Sequence, residues 1–370
     1  MRLLAGIAGV VLAAVVLWDA FETIVLPRRV TRRVRLTRIF YRSTWRPFAA
    51  SARLVRAGGR RESYLSFYGP LSLLLLLILW AGALVVGFGL LQYAAGSAST
   101  LANDTARFST DLYLSGTTFF TLGLGDVAPQ GTAARILTVI ESGLGFGFLA
   151  IVIGYFPVLY QAFSRREVSI SLLDARAGSP PSAAELLRRH SGPGGVAALE
   201  QLLHDWERWS AEVLETHLSY PLLAYFRSQH TNQSWLAALT TVLDTSALVM
   251  VGIEGRCARQ ARLTFAMARH AVVDLTQVFN TRPAADGDDR LPPAALARLK
   301  SALTAIDLPR VADDVDGRLE DLRRTYEPYL AALSKYLLLP LPAWDYETGS
   351  RDNWQSTGWG RAAVPPPEHF

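Results

Sequence analysis

Residues 107–129 read RFSTDLYLSGTTFFTLGLGDVAP. The first half has the pattern of a short helix, and Thr121-Leu122-Gly123-Leu124-Gly125-Asp126 follows it directly. Glycines at alternate positions accept positive φ angles at little steric cost, so successive backbone carbonyls can turn to one side. Rings of such carbonyls replace the water shell of a dehydrated cation. The segment therefore predicts a strip of backbone that binds a bare cation.

Three apolar stretches flank or precede this segment, and each has the roughly 20 residues that a bilayer crossing needs. They cover 3–26, 70–93 and 132–160, and the quoted segment lies between the second and the third. We therefore expect an all-α membrane protein with three transmembrane helices and a re-entrant pore helix, followed by an all-helical cytoplasmic domain. A cleaved signal peptide is the alternative for the first stretch.

A basic block sets the predicted orientation. Twelve arginines and no acidic residue lie between Arg28 and Arg61. Short loops rich in arginine stay in the cytoplasm, which places the N-terminus outside the plasma (inner) membrane and the C-terminus in the cytoplasm. We expect the block to lie on the membrane surface and bind anionic lipid, with Asp19 and Glu22 as partners for its arginines. A voltage-sensing helix is the alternative, because every third residue is basic at Arg29, Arg32, Arg35 and Arg38.

The segment resembles the selectivity filter of potassium channels. Their usual filter is T-V-G-Y-G-D, and Asp126-Val-Ala-Pro129 resembles the exit from it. Gly145 lies 145 − 126 = 19 residues after Asp126, where simple two-helix potassium channels have a hinge glycine. The resemblance covers about residues 68–163.

This resemblance implies a function, a permeant ion and a stoichiometry. K⁺ would bind the filter carbonyls of Thr121, Leu122, Gly123 and Leu124, and no other cofactor is expected. Because the chain holds one filter and no repeat of the pore unit, a homotetramer is implied. Gly145 and Pro157 are the candidate gating hinge of the inner helix.

Two side chains are candidate supports of the filter. Leu124 replaces the usual tyrosine, whose hydroxyl tether is therefore absent. Tyr113 lies where pore helices often carry a tryptophan, and we expect it to hydrogen-bond to Asp126. Glu141 is an ionisable residue inside the third apolar stretch, so it is a functional candidate. Helical geometry turns it towards the pore helix, with Thr117 or Thr118 as predicted partners; an ion or proton sensor is the alternative.

The two halves of the chain differ in charge. Residues 1–163 hold 15 Arg and Lys against 7 Asp and Glu, and residues 164–370 hold 22 against 25. The predicted divisions are a first transmembrane helix, a basic linker, a pore domain, a helical cytoplasmic domain and an extended tail, at 1–27, 28–66, 67–163, 164–340 and 341–370. Residues 235–253 form an apolar run that we expect to be a buried cytosolic helix, with a fourth span as the alternative.

Passive conduction of potassium by a tetramer is the predicted function, with gating by the helical cytoplasmic domain. No nucleophile elbow, phosphate-binding loop or paired catalytic carboxylates are present in the sequence, so we expect no enzyme and no nucleic-acid partner. The sequence does not identify a cytoplasmic ligand that would control the gating. The alternatives are a weakly selective cation channel and a membrane sensor or scaffold with a vestigial pore. Arginine outnumbers lysine 35 to 2, which is typical of a GC-rich prokaryotic genome.

Overall fold

The computed structural model describes residues 1–26, 35–97, 108–230, 232–284, 289–304, 315–345 and 352–353. Within these ranges the chain is a series of helices without a β-sheet, as the apolar periodicity predicts. The residues divide into two compact units. The first contains residues 1–54 and 67–161, and the second contains residues 55–66 and 162–370.

The first unit is built from long apolar helices. Its elements, with α3 of the second unit intervening in the chain, are α1 (Arg2–Ala20), a π-helical turn (Phe21–Val25), α2 (Leu36–Leu54), α3 (Gly59–Ser66), α4 (Tyr68–Ala95), α5 (Phe108–Phe119) and the first part of α6 (Gly131–Ala177). Of these, α1, α4 and α6 are long and apolar enough to cross a membrane. The short helix α5 is the predicted pore helix.

Helix α1 packs directly along α4. A Cβ atom added to Gly9 would lie 2.6 Å from the carbonyl oxygen of Gly87, and one added to Gly87 would lie 3.3 Å from that of Gly9. Small residues allow two backbones in a membrane to approach this closely. The first apolar stretch is therefore an integral packing partner of the unit.

Polar contacts secure the C-terminal end of α1. Asp19 Oδ2 accepts hydrogen bonds from the Thr37 hydroxyl at 2.6 Å and from Trp80 Nε1 at 3.2 Å. Glu22 pairs with Arg35 at 3.6 Å. The predicted pairing with arginine is thus seen for Glu22, and the Asp19 carboxylate is hydrogen-bonded to Thr37 and Trp80.

The described part of the basic block has residues in both units. Helix α2 belongs to the first unit, where the Trp45 ring contacts the Tyr68 ring at 4.8 Å, while α3 belongs to the second. Phe40 and Trp45 are buried in protein, whereas Ile39 is exposed. Arg28, Arg29, Arg32, Arg33 and Val34 lie outside the described residues.

The second unit is a bundle of helices around buried leucine, alanine and tryptophan side chains. Its remaining elements are the end of α6, α7 (Ala183–Arg189), α8 (Gly195–Ser219), a 3₁₀ turn (Pro221–Tyr225), α9 (Trp235–Gly252), α10 (Arg256–Val278), α11 (Pro293–Thr304), α12 (Val315–Arg324) and α13 (Glu327–Leu337). Helices α12 and α13 are separate, because the chain turns at Thr325–Tyr326, ahead of Pro328. Of the predicted extended tail, residues 346–351 and 354–370 lie outside the described residues.

Helix α9 corresponds to the apolar run at 235–253. It is long and apolar enough to cross a membrane, but 89% of its most apolar window is buried inside the protein. Asp244 in its middle accepts hydrogen bonds from Arg290 Nη2 at 2.5 Å and from the Tyr326 hydroxyl at 2.7 Å. These contacts satisfy a carboxylate that would otherwise be costly to bury. Helix α9 is therefore a core helix of the second unit.

Candidate functional site

The end of α5 is tied to the segment that follows it. The backbone amides of Leu122 and Gly123 both donate to the Thr117 carbonyl, at 2.7 and 3.4 Å, and the Thr121 amide donates to the Thr118 carbonyl at 3.0 Å. Carbonyls at a helix C-terminus have no partner within the helix. The segment Thr121–Asp126, called the filter segment below, satisfies two of these carbonyls with its backbone amides. It therefore starts as a direct continuation of the pore helix.

The backbone of the filter segment alternates in handedness. Thr121, Gly123 and Gly125 have φ angles of 57°, 54° and 83°, whereas Leu122 and Leu124 are not among the residues with positive φ. Glycine accepts such angles readily. A β-branched residue rarely does, so the left-handed Thr121 is a strained position of the kind that clusters at functional sites. Such alternation of φ is the backbone conformation that lets successive carbonyls turn to one side of the chain.

The side chains of this segment have little cover within one chain. Leu122 and Leu124 are 62% and 66% exposed, and the residues from Thr121 to Asp126 are all exposed. Large apolar side chains exposed in such a cluster mark an interaction surface.

Tyr113 and Asp126 are brought together. The Tyr113 hydroxyl donates a hydrogen bond of 2.9 Å to Oδ2 of Asp126. One partner lies on α5 and the other at the C-terminal end of the filter segment, so the contact joins that end of the segment to its own pore helix. The sequence predicts a hydrogen bond between these two residues.

Glu141 faces the pore helix, but its partner is not the predicted Thr117 or Thr118. Glu141 is fully buried and its Oε1 is hydrogen-bonded to the hydroxyl of Ser115. The same hydroxyl lies 2.7 Å from the Val85 carbonyl of α4. The Thr117 hydroxyl instead donates to the Leu114 carbonyl of its own helix. Ser115 therefore joins α4, α5 and α6. The one sign of this role in the sequence is that a small polar residue lies in an apolar helix.

Gly145 lies against the end of the pore helix. A Cβ atom there would lie 2.0 Å from the Phe119 carbonyl oxygen, whereas Gly143 and Gly147 have open space around the same position. Helix α6 runs without interruption past Gly145 and Pro157 to Ala177. The close approach explains why the residue at 145 is a glycine in this conformation. The hinge at Gly145 and Pro157 stays a prediction about a conformation in which α6 bends.

The C-terminal part of α6 is fixed within the second unit. Arg166 is buried and donates to the carbonyls of Leu223 and Phe226, at 2.8 and 2.9 Å. Its Nη1 also lies 3.3 Å from Nε2 of His217, whose Nδ1 is 2.7 Å from the Val213 carbonyl. Burial and the adjacent guanidinium lower the pKa of His217 to about 3, so its imidazole is neutral. Among the described residues no group of three or more His, Cys, Asp or Glu side chains is placed to hold a metal ion.

Comparison with known proteins identifies the domain around this site. A family model described as an ion channel, Ion_trans_2, matches residues 73–161. The uncharacterised membrane protein YdjJ of Bacillus subtilis (strain 168) is 25% identical over 202 residues, which cover 54% of this chain and 58% of that protein. No solved structure matches the chain. Residues 73–161 thus match an ion-channel domain, and the chain is similar to a membrane protein.

Proposed function

We propose that four copies of this chain form a potassium channel in the plasma (inner) membrane, with the N-terminus outside and the C-terminus in the cytoplasm. Each copy contributes one filter segment, and the carbonyls of Thr121, Leu122, Gly123 and Leu124 replace the water shell of K⁺. The observation that carries the proposal is the alternation of φ along Thr121–Gly125 at the end of a pore helix.

The exposed side chains of the filter support the tetramer. Leu122 and Leu124 are more than 60% exposed in one chain, and the apolar window of α6 is only 11% buried. Neighbouring copies around a pore axis would cover the filter leucines, and lipid and copies together would cover α6. A closed ring of identical contacts is the usual arrangement of such assemblies.

Regulation by the second unit is part of the proposal. Because α6 continues as one helix into residues that are buried there, a change around Arg166 acts on the same helix that follows the filter. A cytoplasmic ligand that alters the contacts of Arg166 with Leu223 and Phe226 would bias this helix between two positions.

Ion flux from proteoliposomes tests the function. Vesicles holding the purified full chain are given K⁺ or Na⁺ gradients, and the Gly123→Ala variant is compared with Gly154→Ala, a helical glycine with open space around its Cβ position. We expect K⁺-selective flux that is lost in Gly123→Ala and kept in Gly154→Ala. Flux that persists in Gly123→Ala would refute the filter.

A weakly selective cation channel is the second candidate, because Leu124 has no hydroxyl with which to anchor the filter. The side-chain contact that can anchor the end of the filter segment instead is the hydrogen bond of Tyr113 with Asp126. Equal K⁺ and Na⁺ flux in the same vesicles would favour this candidate. Absence of flux under all gradients would favour a membrane sensor or scaffold.

A further inference from the structure

The hydroxyl of Ser115 has one hydrogen and two oxygen neighbours. One neighbour is the Val85 carbonyl at 2.7 Å, which can only accept. The other is Oε1 of Glu141, which is an acceptor when the carboxyl group is ionised. Ser115 cannot donate to both. The two contacts are simultaneously hydrogen bonds only when Glu141 carries the second hydrogen and donates it to the Ser115 oxygen.

The surroundings of Glu141 agree with a neutral acid. Glu141 and Ser115 are both fully buried, and Oε2 of Glu141 has no hydrogen-bond partner in the part of the chain that the structure describes. An ionised carboxylate would need several donors at such a place. A neutral acid needs an acceptor for its one hydrogen, and the Ser115 oxygen provides it.

The ionisable groups on the neighbouring elements are few. On α5, Asp111 lies one turn before Ser115 and is buried, and Tyr113 is bonded to Asp126. On α6, Arg135 precedes Glu141 by almost two turns and is exposed. Helix α4 has no ionisable residue between Tyr68 and Tyr93. Among the described residues of these three helices, Arg135 is the basic residue nearest to Glu141 in sequence, and it is exposed.

We propose, on the basis of the proposed channel function, that Glu141 and Ser115 form a proton-binding site that ties the pore helix to its two neighbouring helices. With the proton bound, Glu141 donates to Ser115 and Ser115 donates to Val85, so α6, α5 and α4 are joined in one chain of hydrogen bonds. When the proton leaves to solvent, Glu141 becomes an acceptor. Ser115 then turns its single hydrogen to Glu141, and the bond to Val85 is lost.

The site lies six residues before the filter threonine on the pore helix. Loss of the bond to α4 loosens the helix whose last carbonyls hold Thr121 and Leu122. K⁺ flux should therefore fall as the pH rises. The expected decrease is about threefold to tenfold, the factor that corresponds to one hydrogen bond of ordinary strength.

The test measures K⁺ flux in proteoliposomes from acidic to alkaline pH, using the full chain. In Glu141→Gln the amide donates to Ser115 at every pH, so flux should remain at the acidic wild-type level throughout. In Ser115→Ala the chain of hydrogen bonds is absent, so flux should be low and independent of pH. Asp111→Asn is the matched control for a second buried carboxyl group, and it should keep the pH response.

Three outcomes would overturn the proton site. They are a pH response that survives in Glu141→Gln, a pH response that disappears in Asp111→Asn, and wild-type K⁺ flux that is the same at every pH. In each case conduction itself would remain established, so the proposed function would stand.

Infrared spectroscopy shows whether Glu141 is protonated, independently of any flux measurement. A protonated carboxyl group has a C=O stretching band that an ionised one lacks, and the difference spectrum between wild type and Glu141→Gln assigns it. We expect this band at acidic pH and its disappearance at alkaline pH. A protein without flux would refute the channel, while the absence of the band at acidic pH would refute the proton site.

Discussion

The hydroxyl of Tyr113 donates a hydrogen bond of 2.9 Å to Asp126, which joins the pore helix to the outer end of the filter segment. Both side chains are exposed in the single chain. Because Leu124 lacks a hydroxyl group, this contact is the side-chain tether that the structure shows for the filter.

Removal of the Tyr113 hydroxyl should weaken the filter and leave the fold intact. In Tyr113→Phe we expect faster loss of K⁺ flux when K⁺ is low, by about threefold or more, since a hydrogen bond to a carboxylate is lost. The measurement is the decay of flux in proteoliposomes after transfer to low K⁺. Tyr93→Phe on α4 keeps its ring contact with Phe108 and serves as the control. Identical decay in both variants would contradict the tether.

A methyl group at Gly145 should displace the pore helix. The added Cβ would lie 2.0 Å from the Phe119 carbonyl oxygen, a distance that forces the backbone to move. We expect Gly145→Ala to lower the melting temperature of the solubilised protein and to abolish flux, with a cost of about 1–3 kcal/mol.

Gly143→Ala and Gly147→Ala are the matched controls for Gly145→Ala. Each lies two residues away on the same helix, with no atom within 4 Å of the added Cβ. Both should melt at or above the wild-type temperature, because alanine favours a helix more than glycine does. Equal stability of all three variants would show that Gly145 has no packing role.

Neutralisation of Asp244 should destabilise the second unit. Asp244→Asn leaves the Arg290 guanidinium without its buried carboxylate, which we expect to cost about 3–5 kcal/mol. Thermal melting of the full chain, followed by tryptophan fluorescence, measures the loss. Asp205→Asn on the exposed face of α8 is the control and should melt like the wild type. A wild-type melting temperature for Asp244→Asn would mean that the ion pair does not stabilise the core.

Acidification should destabilise the second unit through His217. Its folded-state pKa is lowered to about 3 from the ordinary histidine pKa of about 6.5, so between these values the unfolded chain binds a proton that the folded chain does not. Stability therefore falls as the pH drops through this window, by at most about 1.4 kcal/mol per pH unit from this residue. His217→Gln cannot titrate, and its melting temperature should depend less steeply on pH.

The outcome for His217→Gln decides this prediction. A slope of melting temperature against pH equal to that of the wild type would show that His217 does not cause the loss of stability at acidic pH.

Local sequence was sufficient to place the pore helix, the filter segment and the side of α6 that carries Glu141. Each depends on spacing within one helix or one loop. The partner of Glu141 was not predictable, because the choice between Ser115 and Thr117 depends on how three helices meet. The left-handed Thr121 was not predictable either, since threonine by itself disfavours positive φ.

The role of α9 shows the same limit over a longer range. Its composition suits both a membrane span and a buried core helix, and the length and apolar content alone do not separate them. The partners of Asp244 that decide the matter are Arg290 and Tyr326, which lie 46 and 82 residues further along the chain. Contacts between residues so far apart in the chain depend on the folded unit and cannot be predicted from the local sequence.

The carboxylate of Asp19 has a consequence for the biogenesis of the protein. Its partner Trp80 lies 61 residues further along the chain, on the second long apolar helix. A ribosome therefore releases α1 well before Trp80 exists. During that interval, the nascent helix carries an acidic group near its C-terminal end without its indole partner. The bond can close only after α4 has been synthesised and has docked, which gives the first two transmembrane helices a fixed order of assembly.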